Sequence, residues 1–88
     1  MNTEELLAER GKTHGDFTVH ADITQSLKEV CYEQAKWAEL SGSHREAIDM
    51  ILHKIGRILA GNPDHRDHWD DIAGYARLAS DRCGDTNG

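Results

Sequence analysis

The sequence predicts an all-α protein, a small helical bundle with one short N-terminal helix and three main helices. Three observations carry that expectation. Apolar residues recur at steps of three and four along the longer segments, the period of a helix with one buried face. The 88 residues contain a single proline, Pro63. No stretch alternates apolar and polar residues with the period of two that a half-buried strand requires. A chain this short holds one domain, assigned to residues 1–83, and residues 84–88 form a flexible C-terminal tail with nothing to bury.

The first helix is expected over Glu4 to about Glu9, with Asn2 as N-cap and Glu5 at the third helical position. Gly11 to Phe17 has two glycines and no period, and reads as a loop. From Asp16 or Thr18, the apolar positions Val19, Ile23, Leu27, Val30, Cys31, Trp37 and Leu40 predict one long amphipathic helix that stops at Ser41-Gly42. Ser43-His44-Arg45-Glu46 has the form of a capping box for the next helix, which runs to about Ala60 and ends at Gly61. The last helix starts at Asp64 or Asp67 and ends near Arg82. A short connection makes the third and fourth helices an antiparallel pair, against which the second packs. The expected core is Val19, Ile23, Leu27, Ile48, Leu52, Ile55, Leu59, Trp69, Ile72 and Ala76.

Charge and composition narrow the function. Sixteen acidic against ten basic residues give a net charge of −6, which disfavours general nucleic-acid binding. The acidic start and the lack of an apolar run of about 20 residues predict no membrane association and a cytoplasmic protein. Two distant cysteines, Cys31 and Cys83, indicate neither a disulfide framework nor a cysteine-rich zinc site. The six histidines lack a zinc spacing, and Asp64-His65 and Asp67-His68 stand in the reverse order of the His-Asp dyad of HD-type phosphohydrolases. A core built from 38% hydrophobic residues is small, so a homo-oligomer is expected.

Two acidic stripes are the candidate chemistry. Glu46, Asp49, His53 and Arg57 share one face of the third helix, with Lys54 beside it, and Asp67 and Asp71 sit one turn apart on the fourth, where Gly74 leaves space. The same pattern also suits a solvated face of ion pairs. Clustered carboxylates repel unless a cation neutralises them, and oxygen ligands suit Mg²⁺ or Mn²⁺. Glu46, Asp49, Asp67 and Asp71 are therefore the candidate metal ligands, and Lys54, Arg57 and His53 the candidate phosphate contacts. Asp49, His53 and Asp71 can approach within one chain, whereas Glu46 joins them only through bending, another packing or a second subunit. If the carboxylates repel one another in the free protein, Asp49→Asn and Asp71→Asn should leave it equally or more stable. His14, Asp16 and His68 are further candidate contacts. The alternative at His14-Gly15-Asp16-Phe17 is a turn, a helix cap and an apolar staple.

The strings Glu9-Arg10, His14-Gly15-Asp16-Phe17, Ile48-Asp49-Met50-Ile51, Lys54-Ile55-Gly56-Arg57-Ile58-Leu59 and Asp67-His68-Trp69-Asp70-Asp71-Ile72-Ala73-Gly74-Tyr75-Ala76 resemble a family of small proteins of tailed bacteriophages and prophages. That resemblance implies the host cytoplasm but no activity. A looser likeness is to nucleotide-modification-associated phage domains and to MazG-like all-α nucleotide pyrophosphohydrolases. Those proteins hold Mg²⁺ against a nucleoside triphosphate with two acidic runs. Glu46-x-x-Asp49 matches the first with one Asp in place of Glu, and Asp67-x-x-x-Asp71 or His68-x-x-Asp71 stands at the second, which lacks its Glu. This likeness implies a phage protein that binds or hydrolyses nucleotides with a divalent metal. The alternative is a small acidic phage protein that binds and inhibits a host enzyme or antiphage defence complex without catalysis.

Overall fold

The computed structural model describes residues 2–84, and most of the expected tail, residues 85–88, lies outside them. The described residues form helices α1 (Thr3–His14), α2 (Phe17–Tyr32), α3 (Gly42–Ala60) and α4 (Arg66–Asp81), with a 3-10 segment Ala35–Glu39 between α2 and α3. No strand occurs among them.

Local chemistry explains each boundary. Asn2 Oδ1 accepts from Glu5 N at 2.8 Å and starts α1. The helix then continues through Gly11 to His14, where a loop is expected. Lys12 pairs with Glu9 at 3.2 Å, and Thr13 Oγ1 donates to Arg10 O, so the turn holds despite its glycine. The break comes at Gly15, whose φ of 81° favours a residue without Cβ. Asp16 caps α2 through Val19 N at 3.1 Å, as expected.

The predicted long helix to Leu40 is instead two pieces. Beyond Tyr32 the backbone extends at Gln34, and the Trp37 ring folds back to 4.7 Å from Tyr32. Arg45 reaches over from α3 and donates to the carbonyls of Trp37 and Ala38, which holds the second piece as a short 3-10 turn. The cap of α3 lies two residues earlier than the predicted box, because Ser41 accepts from His44 N at 3.2 Å. Gly61 ends α3, its N–H donating to Arg57 O at 2.9 Å. The start of α4 is pinned by Trp69 Nε1, which donates to Pro63 O at 2.7 Å.

α3 is the centre of the molecule. A Cβ on Gly56 would overlap Thr24 Oγ1 and the His20 ring of α2, while Lys54 Nζ meets Asp71 of α4 at 2.8 Å. Two residues are about 200° of helical rotation, so α2 and α4 flank α3 on opposite sides. The three helices therefore form a layer, and α1 joins it at the C-terminal end of α3.

This arrangement corrects the expected core. Only Ala47 and Ile58 are fully buried apolar residues among those described, and the other buried side chains are His20, Thr24, Lys54 and His68. Ile23, Leu27, Ile48, Leu52, Ile55 and Ile72 are half-buried. Val19, Leu59, Trp69 and Ala76 are exposed. Helical periodicity reports an apolar stripe, but in a single layer that stripe has no second layer to meet.

Gly56→Ala is predicted to destabilise the chain by about 1–3 kcal/mol, because α2 must move to admit the methyl group. Thr24→Ala should recover part of that loss in the double variant. Urea denaturation of the four proteins checks both, and additive effects would show that the helices do not meet at this point.

Candidate functional site

The C-terminal half of α1, the start of α2 and the end of α3 enclose a cleft of about 600 Å³. Leu7, Arg10, Gly11 and His14 line it from α1. Asp16, Phe17 and His20 line it from the start of α2, and His53 and Arg57 from α3. Backbone contact makes this geometry possible. Asn62 N and His68 Nε2 both donate to Thr13 O at 3.0 Å. A Cβ at Gly15 would overlap the Ala60 carbonyl, and one at Gly61 would overlap Thr13 O. Two glycines thus let the end of α1 lie directly against the end of α3.

Two guanidiniums face this cleft and neither is in a direct ion pair, although Asp16 lines the same cleft and the Asp71 charge acts on Arg57. Among the described residues no carboxylate lies within 4 Å of the Arg10 or Arg57 side chain. Burial, and then the nearby Arg10, make the Arg57 guanidinium a stronger acid than usual. His14 and His53 are pushed down to about 4, chiefly by burial and next by the Arg57 charge. Both rings are neutral at pH 7, so they supply hydrogen bonds and not charge. His20 Nε2 donates to His53 O at 3.1 Å, and the two rings meet edge to face at 4.6 Å. Phe17 is 79% exposed at the mouth, beside Leu7 at 60%.

The expected carboxylates are dispersed. Asp49 Oδ1 accepts from Tyr32 Oη at 2.8 Å, tying the end of α2 to α3 and pushing the phenol's pKa up. Asp71 neutralises the buried Lys54, whose hydrogen bond and charge hold that carboxyl below its usual range. Asp67 lies 3.8 Å from His65 at the start of α4. Glu46 lines a separate groove with Tyr75, Leu78 and Arg82, and Asp71 and Gly74 line the space next to it. Among the described residues no three His, Cys, Asp or Glu side chains are grouped to hold a metal ion. The four carboxylates do not fit a shared Mg²⁺ or Mn²⁺ site, because two already serve as partners between helices.

Of the expected phosphate contacts, Arg57 and His53 reach the cleft, and Lys54 is spent on Asp71. His14 and Asp16 also line it, Asp16 while capping α2. His68 is 2% exposed and serves as the clasp on Thr13 O. Arg10, His20 and Phe17 were not among the expected site residues. Arg10 and His14 are one turn apart, but a helix thought to end at Gly11 hides their shared face.

Fold and cleft together define a small all-α protein with a cationic, histidine-lined pocket at one end of a helical layer. The chain belongs to a family described as a domain of unknown function, DUF6378, whose model matches residues 2–83. Comparison with curated proteins and with solved structures returned no match.

Two predictions come from these side chains. Because His14 and His53 bind protons less readily folded than unfolded, their contribution to stability is complete above about pH 6.5 and is lost as the pH falls towards about 4. Chemical denaturation from pH 8 to 4 should show that decline, with a shallower slope in His14→Asn and in His53→Gln. Asp71→Asn is predicted to lower the melting temperature with or without Mn²⁺, since it strands a buried ammonium. That reverses the sign expected from carboxylate repulsion, and an unchanged or raised melting temperature would restore the repulsion account.

Proposed function

We propose that this protein binds a phosphate-bearing nucleotide in the cleft between α1, α2 and α3. The observation that carries the reading is the pair Arg10 and Arg57, facing one cavity with neither in a direct ion pair, in a chain of net charge −6. Holding two guanidiniums near each other costs energy that an anion placed between them recovers. A phosphate or pyrophosphate group also matches their planar donor geometry. Neutral His53 can add a hydrogen bond to the same group, while His14 is held at Nδ1 by Thr13 Oγ1 and forms part of the wall. Phe17 and Leu7 offer apolar surface at the mouth, where a base can stack or pack.

The protein contributes guanidiniums here and not a carboxylate cage. A Mg²⁺ or Mn²⁺ ion belongs to this reading only as the companion of the ligand's own phosphates. The arrangement supports binding, and hydrolysis is not assigned to any residue. The likeness to tailed-phage and MazG-like proteins agrees with a nucleotide as the ligand class and with action in the host cytoplasm as a homo-oligomer. No helix among the described residues is long and apolar enough to cross a membrane.

Titration calorimetry with nucleoside mono-, di- and triphosphates and with inorganic pyrophosphate tests the reading. Affinity should rise with phosphate number and fall with salt. Arg57→Gln and Arg10→Gln should each weaken binding by about 10–100-fold, the worth of about 1.5–3 kcal/mol for a charged hydrogen bond. If none of these ligands binds, the reading gives way to the alternative, an inhibitor of a host enzyme or defence complex.

A further inference from the structure

We propose that the open face of the α2–α3–α4 layer is an interface for a second copy of this chain, giving a two-layer dimer. The argument rests on the layer and not on the cleft. It deepens the self-association in the proposed function by naming the surface.

The rotation of α3 assigns its faces. Gly56 points to α2, Lys54 to α4, and His53 and Arg57 to the cleft. The remaining quarter carries Ile48, Leu52, Ile55 and Leu59, of which Leu59 is 65% exposed. The neighbouring helices continue that surface. On α2, His20 and Thr24 mark the side towards α3 and Phe17 the side towards the cleft, so Val19 and Ile23 rise on the other. On α4, Asp71 and Leu78 mark the groove side beside Glu46, and Ile72 and Ala76 face the other way.

Three properties select a second copy as the occupant. First, the stripes are free of charge although 30% of the residues are charged, so two acidic chains can meet there without opposing like charges. Second, the surface runs across the whole layer, with Val19 of α2 48% exposed, Leu59 of α3 65% and Trp69 of α4 54%. Third, a layer apolar on one side is completed by another such layer, and the same surface on both chains satisfies a two-fold axis. The clefts then lie on the outer sides of the dimer, open to ligand.

Sedimentation equilibrium of the full chain at 1–100 μM tests this, alongside Leu59→Glu, Val19→Glu and, on the opposite face, Leu78→Glu. The wild type should have twice the 9.9 kDa of one chain and a melting temperature that rises with concentration. Leu59→Glu and Val19→Glu should each weaken self-association at least 100-fold, and Leu78→Glu should leave it intact. Should either interface variant fail to fold, the concentration dependence of the wild-type melting temperature still decides. A monomeric wild type overturns the proposal, as does a dimer that dissociates in Leu78→Glu but not in Leu59→Glu. Pyrophosphate affinity reads the cleft separately. It should be unchanged in Leu59→Glu, so loss of the dimer and failure of the nucleotide reading give different results.

Discussion

The carbonyl oxygen of Thr13 is the point on which the rest of the arrangement depends. It is one of the carbonyls that the end of α1 leaves without a helical partner, and it takes both Asn62 N and the buried His68 ring. A helix end buried without such partners would carry unsatisfied backbone groups. Satisfying this one from the α3–α4 turn fixes where α1 sits and how α4 begins. Gly15 and Gly61 are needed for the same reason, since any side chain at either would push the two backbones apart. The strings around His14-Gly15 and around His68 are therefore two halves of one joint.

That joint creates the cleft as a by-product of packing. Once α1 lies across the end of α3, Arg10 and Arg57 are brought into one cavity, and His14 and His53 lose water. His14 and His53 respond by staying neutral, so they add no positive charge to the two guanidiniums. In the proposed reading, the two guanidiniums are the donors that an anionic group would meet.

Polar contacts between helices carry much of the specificity in this molecule. Lys54–Asp71 and His44 Nε2 to Ala79 O join α3 to α4, and Tyr32–Asp49 and His20 Nε2 to His53 O join α2 to α3. Charged residues read as a functional stripe are partly spent on holding neighbours. With few fully buried apolar side chains, such contacts set which helices pair and in what register. Of the apolar stripes, Val19, Leu59, Trp69 and Ala76 are left exposed.

The sequence by itself determined the helical class, the number of main helices and the caps at Asn2, Asp16 and Gly61, because these depend on residues within one turn of each other. It also marked Arg57, His53, His14 and Asp16 as chemically distinctive. Only the tertiary structure decided which of them meet. Helical period shows that Leu52 and Leu59 share a stripe, but not whether another layer covers it. Glu46, Asp49, Asp67 and Asp71 look like one site when read along helices, yet Asp49 is taken by Tyr32 and Asp71 by Lys54 across space, Asp67 lies beside His65, and Glu46 lines a separate groove. Arg10 joins Arg57 because the backbone crosses at Gly15 and Gly61, a contact between positions 46 residues apart that no local pattern encodes.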